Sequence, residues 1–235
     1  MTERIKRACA ELGVSLTDET AGRMAVYAAL LKEWNKKMNL TAIRDDEGIA
    51  VRHFADSLSL LTVIDPPKGA SLIDVGTGAG FPSMPVQLAR PDMRITMLDS
   101  QGKRLTFLTA VQHALKTDCD IVQARAEEAG RDPLRREQYD FAAARAVAEL
   151  SVLCELCLPF VKPGGIFAAM KGPDAEAEAD AAREAVKALS AEIADIAKLT
   201  LPDGSGRGVV LIRKISRLSP KYPRPFGKIT KSPLA

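Results

Sequence analysis

Long apolar runs, cysteine and histidine are all scarce in this 235-residue chain. No run approaches the ~20 apolar residues needed to cross a bilayer, and the opening Met1-Thr2-Glu3-Arg4 has no apolar h-region. A soluble cytoplasmic protein without a membrane partner is expected. Four cysteines (Cys9, Cys119, Cys154 and Cys157) do not make a disulfide framework at this size. Cys154 and Cys157 have C-x-x-C spacing, but no second cysteine or histidine pair stands nearby and their segment reads as helix. They are expected to be small buried apolar residues, with no metal site. Internal repeats and low-complexity blocks are missing too. At 46% hydrophobic residues the chain can bury one large domain, or one domain and an appendage.

Acids are missing from one end. From Gly204 onward there are eight basic side chains (Arg207, Arg213, Lys214, Arg217, Lys221, Arg224, Lys228 and Lys231) and no acid, which leaves 25 basic against 30 acidic side chains in the other 203 residues. Concentrated positive charge points to a polyanion; the plain alternative is a solvated basic tail. Prolines at 220, 223, 225 and 233 preclude a continuing helix there. The expectation is an extended arm, residues 216–235, that contacts a polyanion.

What is present is concentrated in Leu72-Ile73-Asp74-Val75-Gly76-Thr77-Gly78-Ala79-Gly80-Phe81-Pro82. It reads as a buried strand, a tight turn and a helix start, with Pro82 suited to the first helical turn. The glycines allow a sharp turn and close approach of a ligand to the main chain. Asp99 ends the next apolar run, about 19 residues past Gly80, where a nucleotide-binding sheet holds a ribose. The spacing is G-x-G-x-G, not the dinucleotide G-x-G-x-x-G, and no Lys-Ser/Thr pair follows, which speaks against a phosphate loop. D-x-G-x-G-x-G resembles motif I of the S-adenosylmethionine-dependent methyltransferases.

Residues 1–64 read as a helical extension, with Ala25, Tyr27, Ala28, Leu30, Leu31 and Trp34 on one apolar face and a second helix over 46–63. Asp65-Pro66-Pro67-Lys68-Gly69 is a linker. Over 65–215 short apolar runs alternate with helical patterns. Strands are expected at 71–75, 94–99, 120–125, 139–145, 166–171, 193–201 and 208–215, and helices at 102–115, 147–161 and 174–189. This is an α/β, doubly wound, mostly parallel sheet whose last two strands pair antiparallel.

Further segments agree with one family. In order they are Trp34-Asn35-x-x-Met38-Asn39-Leu40-Thr41-Ala42-Ile43, His53-Phe54-Ala55-Asp56-Ser57-Leu58, the glycine loop, and Leu98-Asp99-Ser100-x-Gly102-Lys103-Arg104. Ala124-Arg125-Ala126-Glu127, Ala144-Arg145-Ala146-Val147-Ala148-x-Leu150, Met170-Lys171-Gly172 and Lys221-Tyr222-Pro223-Arg224 follow. Together these resemble the bacterial 16S rRNA guanine-N7 methyltransferase family, first named for glucose-inhibited division protein B, from about residue 30 to 234. The resemblance implies a Rossmann-like class I methyltransferase with a seven-stranded sheet behind a helical extension. It also implies transfer from S-adenosylmethionine to N7 of a guanine in the decoding-region loop of 16S rRNA. Ser83 and Met84 depart from the Gly-Ile expected after the proline.

On that resemblance Gly76, Phe81, Ala126, Glu127 and Arg145 meet the donor; Asp74, Gly78 and Gly80 of the same loop, and Asp99 by the sheet argument above, complete the expected donor site. Arg145, Asn39, His53 and Lys171 are candidates on the catalytic, RNA-facing side of the pocket. Arg104, Lys221, Arg224, Lys228 and Lys231 are expected to bind the RNA or small ribosomal subunit. Plain structural alternatives stay open: Glu127 as a solvated helix start, Arg145 as an ion-pair partner, Phe81 as core, His53 as a packing histidine. The N-P-P-Y motif of amino-group methyltransferases is missing after the fourth strand, which fits an acceptor nitrogen with no proton to remove. Nothing in the sequence demands an oligomer, so a monomer is expected. A small-molecule methyltransferase of the same fold, or an RNA-binding protein without catalysis, are the competing readings. The basic tail and small N-terminal cap argue against the first, and the intact glycine loop, Asp99 and Arg145 against the second.

Overall fold

The computed structural model describes residues 1–145 and 148–234. Ala146 and Val147, which belong to the segment quoted after the fourth strand, lie outside the described residues, as does Ala235.

The chain opens with α1 (Thr2–Ala10) and α2 (Asp18–Met38). The Thr17 hydroxyl accepts the Thr20 N–H at 3.1 Å to start α2, acids fill its first turn and Lys36 and Lys37 its last, as the helix dipole favours. Asn39 ends it in the left-handed region at φ 49°. The helix expected over 46–63 is present but broken. Asp45 caps α3 (Asp46–Ile49), which widens into a π-helical turn (Ala50–Ala55) before α4 (Asp56–Leu58) and α5 (Leu60–Val63).

After the Pro66-Pro67 linker the elements alternate: β1 (Ser71–Val75), α6 (Ser83–Ala89), β2 (Arg94–Asp99), α7 (Gly102–Leu115), β3 (Asp120–Gln123), α8 (Ala126–Ala129), β4 (Tyr139–Arg145), α9 (Leu150–Cys157) and β5 (Val161–Lys171). Then come α10 (Ala175–Ala181), α11 (Arg183–Ala188), β6 (Ala191–Thr200), β7 (Gly206–Lys214) and α12 (Phe226–Lys231). The single helix expected over 174–189 is two, divided at Ala182. Pro82 caps α6 rather than entering it.

The strand order is β3-β2-β1-β4-β5-β7-β6. β1 to β5 pair in parallel, and β7 inserts antiparallel between β5 and β6. Side chains alternate between two cores, one on each face of the sheet. Leu72, Ala143, Ala168 and Val209 join the core shared with α1, α2, the π turn and α7, while Ile73, Ala142, Phe167 and Val210 join the core of α9 to α12. The N-terminal helices therefore form one of the two layers over the sheet. Strand order reverses between β1 and β4, so the carboxyl ends of these strands open a crevice between the layers.

The C-terminal segment departs from an extended arm. Tyr222 is buried and Ile229 has no exposure. Arg136 donates to the carbonyls of Leu218, Ser219 and Tyr222, and Arg131 to that of Pro223 at 2.6 Å. The physical reason lies under it. Glu155 is wholly buried on α9, and Arg224 satisfies it with Nε at 2.8 and 3.0 Å, Nη2 at 2.6 Å and its backbone N–H at 2.7 Å. A buried carboxylate without a cation is costly, so it holds the tail down. Lys214 is also interior, donating to Leu158 O at 2.9 Å and paired with Glu137 at 2.7 Å. Part of the basic run is thus internal wiring.

Candidate active site

The crevice is a cavity of about 950 Å³ lined from β1, β2, β4 and β5, the loops after them, the π turn and the start of α12. At one end the chain turns on Gly76, Gly78 and Gly80, with φ of 75°, 59° and 91°, a region side chains rarely adopt. The Gly76 and Thr77 N–H groups donate to Leu98 O at 2.8 and 3.1 Å, hooking the loop to β2. A side chain built at Gly78 would meet almost nothing, so the cavity approaches the main chain there. A Cβ on Gly80 would instead strike Leu108 and the Tyr27 hydroxyl, at 2.6 and 2.7 Å. Gly80 therefore serves the packing of α2 and α7 against the loop and does not line the cavity.

Asp99 is 3% exposed and lines the cavity. Its Oδ2 accepts from Gly78 N–H at 2.9 Å and Arg104 at 3.3 Å, and Oδ1 from Gln101 N–H at 2.8 Å. Of the roughly four acceptor positions of a carboxylate, one is left for a ligand. Asp74, expected among the ligand contacts, lies beneath the loop with no exposure and lines nothing. Its Oδ2 accepts the hydroxyls of Thr77 at 2.7 Å and Ser83 at 2.6 Å, while Oδ1 has no partner. Burial raises its pKa against those hydrogen bonds. Asp74 is a brace, and Ser83, where a glycine was expected, supplies half of it.

The π turn and β4 build the arginine-lined end of the cavity, which meets the glycine loop at Phe81. Phe81, 5% exposed, lies between two parallel rings: His53 at 4.5 Å and Tyr27 at 5.1 Å between centroids. Tyr27 also hydrogen-bonds the Ala79 carbonyl, so α2 clamps the glycine loop. Arg145, at the end of β4, donates to Asp56 Oδ2 at 2.9 Å and to the Arg52 carbonyl at 3.1 Å, and its guanidinium lies 5.2 Å from the Phe81 centroid. Asp56 Oδ1 takes Arg207 of β7 at 3.1 Å, so one buried carboxylate holds two arginines. Arg52 pairs with Asp203 at 2.6 Å.

Burial and the neighbouring Arg145 lower the His53 pKa to about 3, so the ring is neutral. Its Nδ1 faces Arg145 Nη2 at 3.4 Å, and its Nε2 lies 2.8 Å from the Thr41 hydroxyl. A guanidinium only donates, so Nδ1 accepts and Nε2–H donates to Thr41.

Ala126 and Glu127 line the cavity at the start of α8, beside Arg125, with Leu153 and Leu156 of α9. Lys171 also lines it, yet its ammonium is held by Ala148 O at 2.7 Å and Glu178 at 2.6 Å. Asn39 is turned away: it is exposed and borders a separate depression with Trp34 and Lys103. The left-handed cap sends it outward, and Asn35 does the local work, bonding both Thr41 N–H at 2.9 Å and Thr41 O at 2.8 Å. Arg104 stands on the rim, 40% exposed. Arg224 is committed to Glu155 and is not free for RNA; Lys221, Lys228 and Lys231 are exposed. Cys154 and Cys157 are buried free thiols, their pKa values pushed up by burial.

Sequence reasoning passed over Asp56, Arg52, Arg207, Thr41 and Tyr27 as site residues. His53 and Asp56 stand three apart on one helical face, a signal that was available. Arg207 and Asp203 carry no local mark, because their partners lie 151 residues away.

Residues 21–204 match the family model described as rRNA small subunit methyltransferase G. Two curated relatives bear the name ribosomal RNA small subunit methyltransferase G. That of Acetivibrio thermocellus is 49% identical over 224 residues, covering 94% of this chain and 92% of its own. That of Pelotomaculum thermopropionicum is 44% identical over 236 residues, covering 100% and 99%. Among solved structures, M. jannaschii TYW2 in complex with AdoMet has a TM-score of 0.54 at 11% identity, over 68% of this chain and 77% of that one. TrmN from Thermus thermophilus has 0.54 at 17% identity, over 71% and 53%. Identities this low speak for a class I methyltransferase fold alone. The relatives match from end to end, and the family model spans the α2 clamp, the glycine loop and all of β1 to β6, so the chain belongs to the rRNA small subunit methyltransferase G family.

Proposed function

We propose that the cavity binds S-adenosylmethionine at its glycine-loop end and a guanine of 16S rRNA at its arginine end, and that the methyl group passes to guanine N7. The donor end fits such a ligand: open space beside Gly78, an Asp99 carboxylate with an acceptor position to spare, and the Ala126–Glu127 turn beyond it. When bound, S-adenosylmethionine supplies a sulfonium methyl as the electrophile. The rim and walls carry six cationic side chains (Arg52, Arg104, Arg125, Arg145, Lys171 and Arg207) against four acids (Asp56, Asp99, Glu127 and Glu178), a surplus that suits RNA phosphates.

The observation that carries the acceptor is that the arginine end offers no competent base among the described residues. His53, with a pKa near 3, is a poor proton acceptor at neutral pH. Each oxygen of Asp56 is committed to a guanidinium. Guanine N7 presents an in-plane lone pair and no proton, so its methylation needs positioning and exclusion of water rather than a base. An exocyclic amine would have to shed a proton. Pyrimidine C5 would need a cysteine nucleophile, and Cys154 and Cys157 have no exposure. Incubation with labelled S-adenosylmethionine and 16S rRNA or small-subunit particles, followed by borohydride–aniline cleavage, should locate the label at N7 of a single guanine. Label on an exocyclic nitrogen, or only in a metabolite extract, would overturn the assignment.

A further inference from the structure

The C-terminal segment reaches the cavity with an aromatic ring that the reaction above does not use. Phe226 is 41% exposed, one of four large apolar side chains open to solvent among the described residues, and the only one of those four that lines the cavity. It opens α12, which packs on α9 through Ile229. Two residues before it, Arg224 is locked on buried Glu155, so the ring is presented from a fixed point and not from a loose tail. The Arg125 guanidinium lies 5.8 Å from the ring centroid. Arg125 is the residue before Ala126 and Glu127, and the neighbouring wall is Leu153 and Leu156.

The strand order β3-β2-β1-β4 indicates which part of a nucleoside would meet this ring. Asp99, the acceptor for a ribose, ends β2. Arg145 and His53, where a methyl acceptor would sit, lie on the β4 side. The purine of the same nucleoside then extends the other way, toward the end of β3, where Arg125 and Phe226 stand. A flat π system needs apolar faces, and a solvent-exposed phenylalanine held at that end supplies one.

We infer that Phe226, backed by Arg125, forms the outer wall of the purine subsite, so that the C-terminal segment completes the donor pocket. This rests on the donor-binding reading above. Titration calorimetry with S-adenosylhomocysteine and 5′-methylthioadenosine tests it. Phe226→Ala should bind both ligands roughly tenfold more weakly, the range of aromatic–base stacking, with its Tm unchanged. Phe226→Trp should bind within about threefold of the parent, since it keeps a π face. Phe226→Leu, which keeps an apolar side chain but has no π face, should weaken binding nearly as much as alanine. A folded Leu or Ala variant that binds like the parent overturns the inference while leaving the donor site standing. So does a loss seen with S-adenosylhomocysteine but not with 5′-methylthioadenosine. A parent protein that binds neither ligand overturns the donor reading itself.

Discussion

Asp56 is the residue on which the arginine-lined end of the cavity turns. It has 4% exposure and ties the π turn to β4 through Arg145 and to β7 through Arg207. Asp56→Asn keeps the shape but removes the charge, leaving two guanidinium groups facing each other; methyl transfer should fall at least tenfold while S-adenosylhomocysteine affinity, read by calorimetry, stays within about twofold, since a hydrogen bond to a charged group contributes ~1.5–3 kcal/mol. Gly78→Arg is the converse case. Its side chain enters the open space beside the loop, so ligand binding should disappear while the protein stays folded, at a cost of ~1–2 kcal/mol for the positive φ. His53 carries a pH signature. Its folded pKa lies near 3, below the ordinary 6.5, so the unfolded chain binds more protons between those values. The stability tied to a neutral His53 is present above pH 6.5 and is lost as pH falls toward 3, at up to ~1.4 kcal/mol per unit. Denaturant melts from pH 7 to 5 should show this slope in the parent and lose it in His53→Gln; an equal slope in both would show that other groups cause it.

At the level of elements, the π turn and the C-terminal segment separate pattern from placement. The apolar spacing over 46–63 indicated a helix, and one forms, but spacing does not reveal the extra residue per turn that lets His53 stack on Phe81 and Asp56 reach Arg145. The prolines of the tail pointed to an extended arm over 216–235; no helix forms up to Pro225, but α12 forms between Pro225 and Pro233. They said nothing about Glu155, the buried acid 69 residues earlier that draws Arg224 inward. Glu155→Gln should therefore cost about 3 kcal/mol, as breaking a buried ion pair does. In a domain of this size that is a fall in Tm of about 6–12 °C by calorimetric scan. The double variant with Arg224→Met should recover part of the loss, because the orphaned guanidinium is then gone. A double variant less stable than either single would mean that Arg224 has stabilising contacts beyond Glu155.

Over the whole molecule, charge is sorted by depth. Of the eight cations in the basic C-terminal run, Lys214 is interior, Arg207, Arg213 and Arg224 are paired with acids, and Arg217, Lys221, Lys228 and Lys231 are exposed; Lys228 and Lys231 ride on the same short helix as Phe226 at the cavity mouth. Replacing the three exposed lysines with alanine should reduce the magnitude of the slope of log K against log salt for RNA binding by about 2, at ~0.7 per phosphate contact with single-stranded RNA. Ligand affinity at the donor end should not change. Filter binding between 50 and 200 mM salt, over which the Debye length falls from about 14 to about 7 Å, measures it. An unchanged slope would move the RNA contact to Arg52, Arg104 and Arg125 on the rim.

The strands, their parallel alternation, the glycine loop and Asp99 were legible because each is a local event. Alternating apolar runs, a turn that only glycine can make and an acid at a strand end are all written within a few residues of one another. Arg145 and His53 were reached through the resemblance of whole segments, and the cavity brings both together. What the chain order could not determine is which polar groups meet across the sheet. Asp56 finds Arg207, Arg52 finds Asp203 and Glu155 finds Arg224 over separations of 151, 151 and 69 residues. Asp74 and Asn39 look like ligand contacts in sequence, yet one is a buried brace and the other an outward cap. Burial decides such cases, because the cost of an unpaired polar group depends on where the surrounding layers close, and only the packed sheet and helices set that.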